Sequence, residues 1–177
     1  LVNCAAVFER DDATSLEMDV FRRAMRVNAA APAKLAQVFL ARGKSAGGKR
    51  VIQFTDQKIA NPNPDFFSYT MSKHAAAAIV PMLAQGLQNG GAAGPEDRVY
   101  GLAPGAILPS HDQSPEETEV SHRLNLLERK TGTEEIARAS LWLAEGWLKS
   151  GETLFVDSGQ HLLSQPRDVI YLARGEA

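Results

Sequence analysis

The 177-residue sequence contains one cysteine, Cys4, so no internal disulfide can form. Its N-terminus has neither the basic start nor the small-residue cleavage pattern of a signal peptide, and a reducing, cytoplasmic setting is expected. Long apolar runs are also missing. The longest, residues 75–84, is too short for a bilayer and contains Pro81, so no membrane partner is expected. Neither sign of charge dominates: 19 Lys and Arg against 21 Asp and Glu leave a formal charge of -2, without a basic cluster, which argues against nucleic acid. The four histidines, His74, His111, His122 and His161, lack the close spacing of metal ligands, and only Cys4 could add a soft donor, so no metal is assigned. Leu1 stands where a translation product carries Met, and we expect an excerpt of a longer chain.

What is present is ordinary globular composition, 44% hydrophobic and 23% charged, enough for one domain with a real core. Four apolar runs, 1–6, 50–55, 98–102 and 153–157, have the character of buried parallel strands. Helical patterns lie between them. The first starts near Thr14, with Glu17 three residues on as a capping box, and should be kinked or broken at Pro32 before resuming over 35–40. The second spans 69–88, with Pro81 as a local conflict, and ends in a loop over 89–94. The third spans 134–145, with Thr131 and Thr133 as alternative caps. A long polar segment, 109–122, reads as a lid, and 164–177 as a tail after the last strand. Strands alternating with helices imply an α/β fold with a doubly wound, Rossmann-like parallel sheet, whose chemistry sits at the carboxyl ends of the strands.

Tyr69 and Lys73 are four apart on a helix and share one face. An ammonium beside a phenol favours phenolate and brings its pKa down from about 10 toward the range useful for proton transfer. The plain reading of the same pair is two surface residues one turn apart. The glycine clusters Gly43, Gly47 and Gly48, and Gly90, Gly91 and Gly94, lead from a helix into a strand, the wrong order for a phosphate loop, and read as ordinary loops.

Around the pair, motifs occur in order that resemble the short-chain dehydrogenase/reductase family over nearly the whole chain: VNCAA at 2–6, RVNAAAP with Asn28, YTMSK with Tyr69 and Lys73, LAPGAI at 102–107 and GETLFVDSGQHL near the end. The resemblance implies a nicotinamide-dependent oxidoreductase in which Tyr69 donates a proton, Lys73 holds the cofactor ribose and Asn28 supports a proton relay. Asn28 also reads, compatibly, as a helix-kink residue that satisfies backbone groups beside Pro32. Asn3, Ala5 and Ala6 would line the ribose side of the cofactor, and Pro104, Gly105 and Ile107 would approach its nicotinamide. NADPH is the implied cofactor, with NADH also open. The implied assembly is a homotetramer or homodimer built through the two long helices. Three strands and the Gly-rich loop would precede Leu1, making residues 1–177 the C-terminal two-thirds of one domain.

Thirteen residues before Tyr69, where the family has serine, this chain has Asp56. A carboxylate only accepts hydrogen bonds and would repel a ketone oxygen, whereas it suits a heterocycle with N–H donors. The same substitution and spacing resemble the pteridine reductases, so the small-molecule substrate expected is a dihydropterin or folate-like ring. Asp56 could instead cap a turn after its strand. Other imine, enone or carbonyl substrates stay open, as does a binding relative without turnover.

Overall fold

In the computed structural model, which describes residues 1–89 and 94–176, four strands lie side by side in chain order and each neighbouring pair is parallel. They are β1 (Val2–Asn3), β2 (Arg50–Phe54), β3 (Arg98–Pro104) and β4 (Thr153–Val156). All four fall on the apolar runs, although β1 takes only two residues of 1–6 and Val2 in it is exposed; in β2 and β3, buried at successive positions, the sheet is covered on both faces. Alternation along each strand then divides the core. Val51 and Val99 pack with Leu40, Val80 and Ala84 on one face, while Ile52, Tyr100 and Leu102 pack with Leu143 on the other. Helices therefore cover both faces, as a doubly wound sheet requires.

The connection from β1 to β2 differs from expectation in two ways. Thr14 does not cap a helix: its backbone N–H and its hydroxyl both donate to Asp12 Oδ1, at 2.7 and 2.6 Å, and this local turn captures the residue. The helix starts later, as α1 (Met18–Ala24). Nor does Pro32 break it. A π-helical turn (Met25–Ala30) links α1 to α2 (Ala31–Arg42), and Ala31 N–H reaches back five residues to the Arg26 carbonyl. Pro32 sits in the first turn of α2, where a missing N–H costs little.

Helix α3 (Phe67–Asn89) starts two residues before its expected position and runs through Pro81; of the loop expected over 89–94, residues 90–93 lie outside the described residues. Asp11 sets the start of α3 from far along the chain. Its Oδ1 accepts from Ser68 N–H at 3.0 Å, and its Oδ2 also takes the Ser68 hydroxyl. The Phe66 N–H donates to the Asp11 carbonyl at 2.9 Å and the Ala13 N–H to the Pro64 carbonyl at 3.1 Å. The segment after β1 is thereby laced to the entry of α3, which carries Tyr69.

Helix α5 (Thr133–Glu145) is capped at Gly132 rather than at either threonine; Glu135 accepts from Gly132 N–H at 2.8 Å. Thr131 is drawn away by a 2.7 Å hydrogen bond with the Ser158 hydroxyl. Within 109–122 lies α4 (Pro115–Ser121), opened by a reciprocal Ser114–Glu117 capping box. The segment read as a tail does not trail. It forms α6 (Val169–Ala173), buries Val169, Ile170 and Tyr171, and is tied to α4 by Arg174, whose Nε donates to Glu117 Oε1 at 3.0 Å. A Val-Ile-Tyr triplet has too much apolar surface to leave in water. Among the described residues no helix is long and apolar enough to cross a membrane.

Candidate active site

The carboxyl ends of β2 and β3, the entry of α3, and the segments carrying α4 and α6 enclose a cleft of about 310 Å3. Tyr69, in the first turn of α3, and Asp56, two residues past β2, meet in it: the phenol hydroxyl donates to Asp56 Oδ2 at 2.7 Å. Asp56 Oδ1 accepts from Lys58 N–H at 2.8 Å, capping the short 3-10 turn Gln57–Ile59. The turn-capping reading of Asp56 therefore holds for one carboxylate oxygen, and the other oxygen meets the Tyr69 hydroxyl in the cleft.

Lys73, one turn below Tyr69, is only 4% exposed. Its ammonium donates to the Phe54 carbonyl at 3.2 Å and lies 5.5 Å from the centre of the Tyr69 ring. One acceptor for three N–H donors leaves a buried cation with hydrogen-bonding capacity to spare. Burial lowers its pKa, opposed by the charge of Asp56. The expected lowering of the phenol does not occur. Burial and then the Asp56 carboxylate push Tyr69 well above its ordinary range, and Lys73 lies over the ring face rather than at the oxygen. Burial also raises Asp56, against the pull of the Lys58 N–H, the Tyr69 hydroxyl and the Lys58 and Lys73 charges. The phenol keeps its proton and points it at the carboxylate.

Asn28 is fully buried in the π-helical turn, with both amide N–H donors and its Oδ1 engaged. It accepts from Val7 N–H at 2.8 Å and donates to the Val7 carbonyl and the Ser72 hydroxyl, each at 2.9 Å. These bonds brace the segment after β1 against α3, and none reaches Tyr69 or Lys73. Asn3 is likewise a brace, donating to the Pro32 carbonyl and Gln53 Oε1, both at 3.3 Å. Ala5 and Ala6 are exposed beyond the end of β1 and present only methyl groups there.

Pro104, Gly105 and Ile107 all line the cleft. Gly105 is required by its neighbours: a Cβ there would lie 2.6 Å from Gln160 Oε1 and 2.8 Å from Asp157 Cβ. Gln160 also accepts from Ala106 N–H at 3.0 Å and so fixes the turn after β3. Gly105→Ala is expected to destabilise the fold by about 1–3 kcal/mol through this overlap. A urea midpoint lowered at unchanged m would show it; an unchanged midpoint would mean the turn has room to spare.

Sequence reasoning missed Phe8, Lys58, Gln160 and Asp168, which also line the cleft. Phe8 stacks on Phe66 (4.1 Å between centroids, 23°) and meets the edge of Tyr69 (4.7 Å, 87°). No local pattern marks it, because the loop holding it gains its position from distant pairing. Gln160 lay inside the motif quoted for the closing strand and could have been found there. Among the described residues no cluster of three His, Cys, Asp or Glu is placed to hold a metal ion.

Comparison with known proteins agrees with this geometry. The family model described as enoyl-(acyl carrier protein) reductase matches residues 1–161. The 7alpha-hydroxysteroid dehydrogenase of Escherichia coli K12 is 31% identical over 150 residues, covering 81% of this chain and 56% of that protein. The chloroplastic NADPH-dependent aldehyde reductase 2 of Arabidopsis thaliana is 28% identical over 167 residues, covering 90% and 59%. Among solved structures, the FolM alternative dihydrofolate reductase 1 of Brucella suis, in complex with NADP, superposes with a TM-score of 0.83 at 32% identity, covering 93% of this chain and 64% of that one. The chain thus spans less than two-thirds of the length of each of these relatives. With a parallel sheet, the Tyr69–Lys73 helix pair and a family model matching nine-tenths of its length, the chain belongs to the short-chain dehydrogenase/reductase family.

Proposed function

We propose that the full-length protein to which this chain belongs is a reductase of dihydropterin or folate-like rings that uses NADPH, or NADH in its place. The observation that carries the reading is the Tyr69 hydroxyl donating to Asp56 at 2.7 Å inside a cleft edged by the Phe8 ring. A carboxylate at this position accepts from N–H donors, which pterin rings carry and ketones lack. Phe8 adds aromatic surface to the cleft against which a flat ring can pack. The likeness to FolM of Brucella suis supports the same substrate class.

The residues present fit the nicotinamide end of the cofactor. Lys73 has N–H donors to spare for ribose hydroxyls, the exposed Ala5 and Ala6 leave the sheet end uncrowded, and Pro104, Gly105 and Ile107 form the facing wall. When bound, the reduced nicotinamide supplies the hydride. Tyr69 supplies the proton to the ring nitrogen beside the carbon that is reduced, so that a C=N bond becomes CH–NH. Asp56 orients the ring by accepting its N–H groups and holds the phenol in place between turnovers. The segment 109–122 acts as the lid, since Pro109, Ser110 and Gln113 already line the cleft. Assembly as a homotetramer or homodimer through the long helices is part of the same proposal; Leu35 on α2 and Met71 and Met82 on α3 are exposed there.

The test is cofactor oxidation by the full-length protein with 7,8-dihydropterin, dihydrofolate, and a panel of ketones, imines and enones. Preference for the pterins by kcat/KM supports the reading. Preference for a steroid or other ketone would replace it with carbonyl reduction, the class of activity named for the aldehyde reductase of Arabidopsis thaliana.

A further inference from the structure

Behind the Asp56–Tyr69 pair lies a buried ionic group that the reading above does not use. Lys58 is 3% exposed, and all three of its ammonium donors are engaged: Asp168 Oδ2 at 2.5 Å, Asn63 Oδ1 at 3.2 Å and the Asp65 carbonyl at 3.2 Å. Asp168 is the N-cap of α6, its Oδ1 accepting from Ile170 N–H at 3.1 Å. Its own N–H donates to Asp65 Oδ2 at 2.7 Å, and Arg167 Nε donates to the same oxygen at 2.9 Å. The residue whose side chain is clamped in this way also donates its backbone N–H to Asp56 at 2.8 Å. The C-terminal segment thus reaches the acid of the cleft through one lysine.

We propose that Lys58 is a positioning residue for the Asp56–Tyr69 pair, and that Asp168 at the start of α6 holds Lys58 in register, making the C-terminal segment part of the machinery of the cleft. The inference rests on the proposed function for its meaning in turnover, but not for its geometry. A buried pair contributes little net stability compared with an apolar one, yet breaking it leaves a stranded charge, so retention of such a pair beside a functional carboxylate fits an orienting role. The groups facing Asp56 are the Lys58 ammonium from its own turn and Tyr69 and Lys73 from α3; Asp168, the N-cap of α6, faces Tyr69, and His122 lines the same cleft. The Lys58 charge favours the ionised Asp56, and the Asp168 charge disfavours ionisation of Tyr69.

The experiment is an NMR titration of Asp56 in the full-length protein labelled with 13C at the aspartate carboxyl, assigned with Asp56→Asn. Lys58→Met keeps the volume and removes the charge; the Asp56 titration is expected to move up by about one pH unit. Lys58→Arg should leave it within a few tenths of a unit. Asp168→Asn keeps the cap oxygen and unmasks the Lys58 charge, so the titration should move down. A role that is only structural would lower stability in all three without this opposed pattern. Equal titrations in the parent and Lys58→Met overturn the proposal; if that variant does not fold, an unmoved titration in Asp168→Asn does so. Shifts as expected in a protein that reduces none of the tested substrates would keep this inference and discard the proposed reaction.

Discussion

Replacing Tyr69 by phenylalanine is expected to lower kcat/KM of the full-length protein by about 10²- to 10⁴-fold, the usual cost of removing a positioned proton donor. The ring remains, so the edge contact with Phe8 at 4.7 Å and the packing against Phe66 and α6 survive. What disappears is the 2.7 Å hydrogen bond to Asp56 Oδ2, leaving a desolvated carboxylate oxygen without its donor. A stability loss of about 1–3 kcal/mol should accompany the loss of activity. The two effects separate cleanly: steady-state kinetics reports the first and urea unfolding the second. A folded variant that reduces its substrate as fast as the parent would remove Tyr69 from the chemistry.

Asp56→Asn is expected to lower kcat/KM for a pterin by about 10²-fold, because the group facing the phenol becomes an N–H donor while the oxygen facing Lys58 N–H is retained. Its effect on stability carries a sign. Folding raises the Asp56 pKa, chiefly through burial, so the folded chain binds more protons than the unfolded one between an ordinary carboxylate pKa near 4 and the raised value. The contribution of Asp56 to stability is therefore present at low pH and declines as pH rises through that window. The asparagine variant lacks this decline and should gain on the parent as pH increases. Unfolding free energies measured across the acid range would show the variant's stability relative to the parent rising with pH; a difference that does not change with pH would mean that the carboxyl is no harder to ionise in the folded chain.

The strands were legible in the sequence because burial on both faces writes itself as unbroken apolar runs, and Tyr69, Lys73 and Asp56 because their spacing survives in one dimension. Lys58 and Asp168 were not, since 110 positions separate two residues that only the packing of α6 brings to 2.5 Å. The roles expected of Asn3 and Asn28 could not be told apart from bracing, because an amide bound to a distant backbone has the same local sequence as one facing a ligand. Thr14 shows the converse error: a local capping pattern is lost to Asp12, two residues away, and the helix starts four residues later, at Met18. The phenol was misjudged for a related reason. Helical spacing gives the distance between two side chains, not which end of a ring the cation will meet.

The π-helical turn leaves a trace that can be sought in other chains. Ala24, Asn28, Pro32, Ala36 and Leu40 are all buried, one every fourth residue. Steps of four overshoot an α-helical turn by about 40°, so an unbroken helix would have swung the last of these by about 160° from the first. The surplus residue absorbed between Met25 and Ala30 removes about 100° of that drift and keeps the inward-facing residues on one side. A four-beat rhythm of inward residues, spoiled if one residue is deleted, is thus the written sign of a locally widened coil.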